Sequence, residues 1–281
     1  MRDVKGIVNV QKSSKSTKSF DEELRQFVND AIDDRQASQI ALYFLDLNED
    51  VDTRINEQTT FDIASLVKVP IMIAWFKKAQ EDPQILTKTL QYNKKKIKQG
   101  HMRQDIPAEE QLQEGQRYTI EELIRRAIIF SDNQASFLLA TDMDNEILNT
   151  VLNDFGISAS LGSAGSQIRM SVHQYATFFT SLFEASYINK KMSEKALENL
   201  SKVTYKNGLA AGVPADIKIA HKFGERSWDI VSAKQLHDCG IIYYPDHPYL
   251  LCVMTEGYNF DTQSQAIKEI SHFVYEHMKS F

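Results

Sequence analysis

Apolar positions have strand-like spacing near both ends of the chain and helical spacing through its middle. Residues 20–36 come first and form a helix pattern, with an apolar face of Phe20, Leu24, Phe27, Val28 and Ile32. The run QIALYFLDL that follows is short and rich in aromatic and β-forming residues, which predicts a strand. The segment NEDVDTRIN then predicts a turn leading into a second strand-like piece that ends near Phe61.

Helical spacing dominates the centre of the sequence. The pattern predicts helices at 65–80, 119–130, 133–141, 145–154, 172–185 and 193–201. The stretch 82–117 is mostly polar, with weak helix signals. After Gly212 and Pro214 the pattern returns to short β-type runs, which are DIKIAHKFG, WDIVSAKQL, DCGIIYYP and PYLLCVMTEG. A last amphipathic helix is predicted at 261–279.

This order of elements predicts an α+β fold. The economical arrangement is one antiparallel sheet built from strands of both termini, with an all-helical lobe inserted between them. We therefore expect a single domain over 20–281, with an α/β lobe at about 20–62 and 215–281 and a helical lobe at about 63–214. The polar segment QKSSKSTKS predicts that residues 1–19 form a flexible arm.

Composition and charge exclude several classes of protein. The chain has 281 residues, 42% of them hydrophobic and 25% charged, which is ordinary for a globular protein with an ample core. A net charge of −6 argues against nucleic-acid binding. No apolar run approaches the roughly 20 residues that span a bilayer, so no transmembrane segment is expected. MRDVKGIVNV shows no signal-peptide pattern.

Histidines and cysteines give no sign of a metal site. His101, His173, His221, His237 and His247 are scattered without the paired spacing that zinc requires, so we expect no metal and no cofactor. His221 is next to a lysine and can line a cleft, although a structural role is favoured.

The two cysteines flank the predicted hairpin CGIIYYPDHPYLLC. A turn centred on Asp246 and His247 places Cys239 and Cys252 diagonally, near the distance limit for a disulfide. The sequence therefore favours two free buried thiols.

The stretch FDIASLVKVP places a serine and a lysine three residues apart at the start of an apolar helix. On a helix these positions share a face, so Ser65 and Lys68 can touch. A lysine whose pKa is lowered by burial can take the proton of an alcohol and make it a nucleophile. Alone, the Ser-x-x-Lys pattern is weak evidence.

The sequence FSDN lies between two predicted helices. Ser131 can relay a proton to a leaving nitrogen, and Asn133 can donate to a substrate carbonyl, while Asp132 holds the loop through backbone donors. The plain alternative is an N-cap, which all three residue types form well.

The segment IAHKFGE ends a predicted strand. Lys222 precedes a phenylalanine and a glycine at a strand edge that an extended substrate can approach. There it can attract an anionic group and lower the pKa of Lys68 or Ser131. An ordinary surface lysine is the alternative.

Taken together and in this order, the three motifs resemble the Ser-x-x-Lys, Ser-Asp-Asn and Lys-Thr-Gly set of class A β-lactamases and penicillin-binding proteins. The resemblance covers about residues 20–281. It extends to GQRYTIEELIRRAIIFSDN, GLAAGVPADIKIAHKFG and CGIIYYPDHPYLLCVMTEG. It implies the same lobed fold and the same use of an active-site serine.

The resemblance also implies a role for each motif residue. Ser65 would be the nucleophile, Lys68 its base or proton relay, and Ser131 the shuttle to the departing nitrogen. Asn133 would position the substrate and Lys222 would bind its carboxylate side. The backbone N–H groups of Ser65 and Glu225 would form the oxyanion hole.

Two departures from the family pattern change the expected activity. Phe223 stands where the motif has a hydroxyl residue, which removes a hydrogen bond worth roughly 1–2 kcal/mol to a substrate carboxylate. The loop ASLGSAGSQIRM contains no Asp or Glu to activate a deacylating water, and Gln167 can orient a water without taking its proton. Asp154 and Glu146 precede the loop and favour solubility or capping. Slow or absent deacylation follows.

Three functions remain open from the sequence. The first is a class A-like serine hydrolase acting on a peptide or amide, of the cell wall for example, with poor β-lactam turnover. The second is a working β-lactamase that deacylates by another route. The third is a penicillin-binding or wall-sensing module without turnover. In each case the expected partner is a small molecule or peptide, the chain a monomer, and the location extracytoplasmic by resemblance.

Overall fold

The computed structural model describes residues 11–96, 105–157, 168–228 and 232–280. In chain order the elements are α1 (Gln11–Asp33), β1 (Gln39–Asp46), β2 (Val51–Ile55), β3 (Thr60–Asp62), α2 (Lys68–Glu81), β4 (Thr89–Gln91), β5 (Arg117–Thr119), α3 (Ile120–Ile129), α4 (Asn133–Asp142), α5 (Asn145–Asp154), β6 (Arg169–Ser171), α6 (Val172–Phe183), α7 (Lys190–Leu200), β7 (Ile219–Ser227), β8 (Lys234–Ile242), β9 (Tyr249–Gly257) and α8 (Phe260–Met278). Short 3-10 helices occupy Ala64–Val67, Pro83–Thr87, Lys94–Lys96 and Leu209–Gly212.

The main sheet joins strands from both ends of the chain, as predicted. Its five strands run in the order β2-β1-β9-β8-β7, and every neighbouring pair is antiparallel. The helices α2 to α7 come between β2 and β7 in the chain. The predicted α+β fold is therefore confirmed, and β7 is an edge strand of the sheet.

Apolar residues cover both faces of this sheet. One core packs the sheet against the helical insertion, with the nearly fully buried helix α2 at its centre. The second core lies on the opposite face, beneath α1 and α8. Since the sheet is buried on both sides, its strands read as long apolar runs in the sequence. In the described ranges no helix combines the length and apolar content that crossing a membrane requires.

The N-terminal helix begins earlier than the pattern predicts. Helix α1 starts at Gln11, inside the segment expected to be a flexible arm, and no Gly or Pro interrupts the sequence from there to Asp33. Residues 1–10 lie outside the described residues. The division of the chain into one domain with two lobes stays a prediction.

The separate strand predicted from WDIVSAKQL was wrong. Residues 229–231 lie outside the described residues, and Lys234, Gln235 and Leu236 are the first residues of β8, which continues to Ile242. In the predicted pattern His237 lies between the two runs, and Asp238 begins the second of them. Both side chains are instead buried within the strand and hydrogen-bonded, to Asp62 and His221 respectively.

The prediction of free, diagonally placed cysteines was also wrong. Cys239 and Cys252 are direct partners in the β8–β9 register, with Cα atoms 3.9 Å apart, and they form a disulfide. Ile242 pairs with Tyr249, so the hairpin is centred between Pro245 and Asp246, one residue earlier than assumed. Asp246 adopts φ 61°, a left-handed turn conformation that aspartate tolerates. This shift brings the two sulfur atoms opposite each other.

Candidate functional site

The serine and lysine of the first motif meet at the junction of two helices. Ser65 lies in the 3-10 helix Ala64–Val67, and Lys68 is the first residue of α2. The Lys68 Nζ atom lies 2.7 Å from Ser65 Oγ. Pro70 falls in the first turn of α2, where its missing N–H costs no helical hydrogen bond. Lys68 is buried at the point where the apolar helix α2 begins.

The second motif enters the site from the turn between α3 and α4. Ser131 is buried and has φ 55°, a left-handed conformation that costs a non-glycine residue about 1–3 kcal/mol. Asp132 caps α4 by accepting hydrogen bonds from the backbone N–H groups of Gln134 and Ala135. The N-cap that was the alternative interpretation of this motif is therefore present. Ser131 and Asn133 also lie beside Lys68.

The third motif approaches along the edge strand β7. A Cβ atom at Gly224 would lie 3.0 Å from Leu66 N and 3.1 Å from Ile63 O, so any other residue would push this strand and the Ser65 turn apart by a few tenths of an ångström. Lys222, two residues earlier, reaches Ser131 Oγ at 2.8 Å. The glycine of the motif therefore permits the close approach of the strand to the turn that carries Ser65.

Four polar side chains form a continuous hydrogen-bonded line across the site. Ser65 Oγ, Lys68 Nζ, Ser131 Oγ and Lys222 Nζ are joined by successive distances of 2.7, 3.1 and 2.8 Å. Asn133 Oδ1 accepts from Lys68 Nζ at 2.7 Å, which fixes the orientation of that amide. The structure thus brings together five of the six residues predicted from the motifs.

The environment of Lys68 favours its neutral amine. Burial lowers the pKa of Lys68 from 10.5 to about 7, against the opposing effect of the Asp132 and Glu225 carboxylates. Four acceptor atoms lie within hydrogen-bond distance of Nζ, which are Ser65 Oγ, Ser131 O, Ser131 Oγ and Asn133 Oδ1. An amine with two N–H donors and one lone pair can donate to two of them and accept a proton from a serine hydroxyl.

Lys222 is equally enclosed. Burial, and then the neighbouring Lys68, lower the pKa of Lys222 well below 10.5. Its Nζ atom donates to the Phe223 carbonyl at 2.8 Å as well as meeting Ser131. Two buried lysines on either side of one serine hydroxyl repel each other when both are charged.

Glu225, the sixth predicted residue, follows directly after Gly224. Its carboxylate Oε1 accepts hydrogen bonds from the backbone N–H groups of Asp105 at 2.9 Å and Ile106 at 3.1 Å. Burial and the nearby Asp105 carboxylate raise the pKa of Glu225. The sequence assigned only the backbone of Glu225, and this bridge from its side chain to the 105–106 segment was not predicted. The oxyanion-hole role of its N–H stays a prediction.

A set of buried polar contacts beneath the Ser65 turn was missed from sequence. Asp62 donates its backbone N–H to Gln235 Oε1 at 3.1 Å, and its carbonyl lies 3.0 Å from His237 Nε2. Burial lowers the pKa of His237 to about 4, so the neutral ring is the stable form. Tyr175 donates to the Leu66 carbonyl at 3.0 Å. These contacts fix the turn, but each depends on a partner far away in the chain.

His221 has a structural environment. Its Nδ1 atom lies 2.8 Å from Asp238 Oδ1, and the second oxygen of Asp238 accepts from the Leu209 N–H at 2.9 Å. Both side chains are fully buried. Their contacts tie β7 and β8 to the 3-10 helix that precedes β7.

The two acidic residues that precede the loop ASLGSAGSQIRM, Asp154 and Glu146, both belong to helix α5. Asp154 accepts a hydrogen bond from Tyr187 at 2.6 Å and pairs with Lys77 at 3.4 Å. Glu146 lies in the first turn of α5. Gln167 and most of its loop lie outside the described residues. Among the residues that the structure describes, no group of three or more His, Cys, Asp or Glu side chains is arranged to hold a metal ion.

Substitution of Gly224 by alanine is expected to slow covalent labelling of Ser65, the predicted nucleophile, by about tenfold. The new methyl group would meet backbone atoms of Ile63 and Leu66, so β7 or the Ser65 turn must shift by a few tenths of an ångström, and small misplacements are costly in a reacting site. Gly257→Ala is the matched control, since its Cβ meets mainly the Gln263 side chain. Both variants should lose stability, but only Gly224→Ala should lose labelling rate with a serine-acylating probe. Equal rates would show that the strand position is irrelevant to reactivity.

Comparison with known proteins shows the family and the fold of this chain. The sequence matches the family described as the Beta-lactamase enzyme family over residues 22–278. No curated protein matches it. A mutant of PBP-A, solved as an acyl-enzyme complex with penicillin G, is similar with a TM-score of 0.77 and 20% identity, covering 94% of this chain and 97% of that chain.

Two solved β-lactamases are similar to the same extent. The enzyme from Sphaerobacter thermophilus has a TM-score of 0.79 and 20% identity, covering 92% of this chain and 98% of that one. TLA-3 extended-spectrum β-lactamase has a TM-score of 0.78 and 15% identity, with 92% and 98% covered. At these identities the likeness shows a shared fold.

Proposed function

The chain belongs to the beta-lactamase enzyme family, and from that premise we propose that it is a serine hydrolase which forms an acyl-enzyme through Ser65 with amide or β-lactam substrates and hydrolyses this intermediate slowly. The observation that carries the proposal is the line from Ser65 Oγ through Lys68 Nζ and Ser131 Oγ to Lys222 Nζ. A hydroxyl in contact with a buried amine whose pKa is lowered to about 7 can lose its proton to that amine and act as a nucleophile.

In this proposal the hydrogen-bonded line moves one proton across the site. Lys68 accepts the Ser65 proton as Oγ attacks the substrate carbonyl. Ser131 donates its own proton to the leaving nitrogen and is reprotonated from Lys68, so the amine returns to its neutral form. Lys222 holds the Ser131 hydroxyl in place from the other side. The net result is a Ser65 ester and a released or ring-opened amine.

The developing oxyanion would be met by the backbone N–H groups of Ser65 and Glu225. Support comes from the close approach of β7 to the serine turn, which Gly224 permits. Such a donor pair is worth about 3–4 kcal/mol per donor in the transition state of acyl transfer. Asn133, oriented by Lys68, would bind the substrate on the opposite wall of the cleft.

Slow hydrolysis of the acyl-enzyme is proposed from the chemistry of the second step. The loop that carries the water-activating carboxylate in class A enzymes has none in this sequence, and Asp154 is engaged by Lys77 and Tyr187. Without a base to activate the water, the site has the groups needed for acylation but lacks one for rapid hydrolysis of the acyl-enzyme. The solved acyl-enzyme of PBP-A with penicillin G shows that a protein of this fold can hold such an intermediate.

A time course of intact mass after mixing with benzylpenicillin tests the proposal. A covalent adduct on Ser65 should form and persist, with hydrolysis at least about 10³-fold slower than a typical turnover of about 10 s⁻¹. A transient adduct with released hydrolysed drug would instead identify a working β-lactamase. No adduct would favour a binding module without acylation. Assays on peptides ending in D-Ala-D-Ala then separate a peptidase from an acylated sensor.

We place the protein outside the cytoplasm and treat it as a monomer with a small-molecule or peptide substrate. The disulfide between Cys239 and Cys252 supports the location, because disulfides persist mainly in oxidising compartments.

A further inference from the structure

The residue directly before the serine has a strained backbone. Ala64 adopts φ 46°, which lies in the left-handed region. That region disfavours every residue with a Cβ atom, and alanine has no polar side chain with which to stabilise its own backbone there. If φ relaxed to a negative value, the N–H and the side chain of Ser65 would turn with it. The position of Ser65 therefore depends on what holds Ala64.

The side chain of Asp62 makes the contact that holds this alanine. Its Oδ1 atom accepts a hydrogen bond from the Ala64 N–H at 2.9 Å and closes a turn of the kind that aspartate forms with the backbone two residues on. Asp62 is only 4% exposed, so little water competes for this N–H. A carboxylate is also a stronger acceptor than a neutral oxygen. The contact therefore favours the left-handed conformation over the relaxed one.

Asp62 is anchored in turn to strand β8 through its backbone. Gln235 accepts its N–H at 3.1 Å, and His237 Nε2 donates to its carbonyl at 3.0 Å. The residue between these two, Leu236, is the register partner of Glu225 on β7. Asp62 thus links the serine turn to the part of the sheet that carries the other proposed oxyanion donor.

The second oxygen of this carboxylate contributes little to stability. Among the described residues, Asp62 Oδ2 is buried and accepts no hydrogen bond, and Arg226 Nε lies 4.0 Å away. Burying a carboxylate with an unused oxygen costs free energy of folding. General stabilisation is therefore a poor account of this side chain, whereas holding Ala64 accounts for its one close contact.

We propose that Asp62 is a positioning residue for acylation, whose carboxylate holds Ala64 in the left-handed conformation and so fixes the direction of the Ser65 N–H and hydroxyl. This inference rests on the proposed acylation of Ser65. It assigns a role in that reaction to a side chain outside the three motifs. Loss of this side chain should misplace the nucleophile and leave the surroundings of Lys68 as they are.

Two substitutions of Asp62 test the contact, with benzylpenicillin as the probe and intact mass as the readout. Asp62→Ala should slow labelling of Ser65 by about 30-fold, as expected for the loss of one hydrogen bond to a charged group. Asp62→Asn keeps an oxygen that can accept from the Ala64 N–H, so its rate should stay within about fivefold of the natural one. The midpoint of the pH–rate profile should be the same in all three proteins, because the surroundings of Lys68 are unchanged.

A glycine in place of Ala64 separates positioning from general stability. Glycine adopts positive φ without the cost that a Cβ atom brings, so adding Ala64→Gly to Asp62→Ala should restore at least about fivefold in labelling rate. Ala185→Gly is the matched control, since Ala185 is also an alanine at positive φ, 53°, and lies after helix α6. It relieves the same kind of strain, but it should leave the labelling rate of Asp62→Ala unchanged.

The outcomes separate this inference from the proposed function. If Asp62→Ala does not fold, Asp62→Ser takes its place, because a serine hydroxyl forms the same turn more weakly and the same recovery by Ala64→Gly is expected. An unslowed rate, no recovery by Ala64→Gly, equal recovery by Ala185→Gly or a shifted pH midpoint overturns the positioning role while the proposed acylation stands. Absence of an adduct in the natural protein overturns the proposed function itself, and with it this inference.

Discussion

Replacing Ser65 by alanine is expected to abolish covalent labelling by benzylpenicillin and to leave the melting temperature nearly unchanged. The substitution removes the attacking oxygen, so the acylation rate should fall by about 10³-fold or more. Ser65 is only partly buried, and Lys68 keeps Ser131 and Asn133 as partners after its loss. The free energy of unfolding should therefore change by no more than about 0.5 kcal/mol. Intact mass and thermal unfolding measure the two effects.

Peptide mapping and a second serine variant complete this test. Ser201→Ala, at the end of α7, is the control and should label like the natural protein. Persistent labelling of the Ser65→Ala variant would contradict the assignment of the nucleophile. Mapping the adduct would then show whether Ser131, the other hydroxyl in contact with Lys68, is the attacking group.

The sequence was sufficient to predict which polar side chains the structure brings together, because their chemistry is unusual for their positions. A lysine entering an apolar helix is costly unless it has a partner or a function, and helical spacing placed Ser65 beside Lys68. The contacts that join Ser65 and Lys68 to Ser131 and Lys222 are between residues far apart in the sequence. No local pattern encodes them, and only the ordered set of motifs predicted them.

The sequence failed to predict the features that depend on a one-residue change in strand register or on a partner distant in the chain. The disulfide depends on the centre of a six-residue turn, and moving that centre by one residue replaces a diagonal pair with a direct one. The sequence predicted a break between strands at His237, because the polar residues His237 and Asp238 interrupt an apolar run. Their burial is stabilised by partners that come from other parts of the chain.

The side chain of Glu225 illustrates the same limit at the site. Its position after the lysine and glycine predicted a backbone role, which requires only the motif. The bridge to Asp105 and Ile106 requires that a polar segment with weak helix signals fold over the strand. That segment has no apolar periodicity from which its path can be inferred.

The acylation rate is expected to rise with pH and to level off above an apparent pKa of about 7. Lys68 must be neutral to accept the Ser65 proton, and its pKa lies near 7 in the folded protein. Below this value each pH unit should cost about tenfold in rate, because the neutral fraction falls tenfold. Lys68→Arg keeps a cation that cannot lose its proton, and Lys68→Met keeps the length without a base. Both should acylate about 10³-fold more slowly at every pH.

The same shift in pKa gives an independent check through stability. The unfolded chain holds the Lys68 proton up to about pH 10.5, whereas the folded chain releases it near pH 7, so the unfolded state binds more protons between these values. This residue should therefore make the free energy of unfolding rise with pH across that window, and the Lys68→Met variant should lack this contribution. A rate that is flat from pH 5.5 to 9, together with identical pH–stability slopes in the two proteins, would mean that Lys68 is not the base. If only the rate profile is flat, the amine is buried and neutral as described, and another step limits labelling.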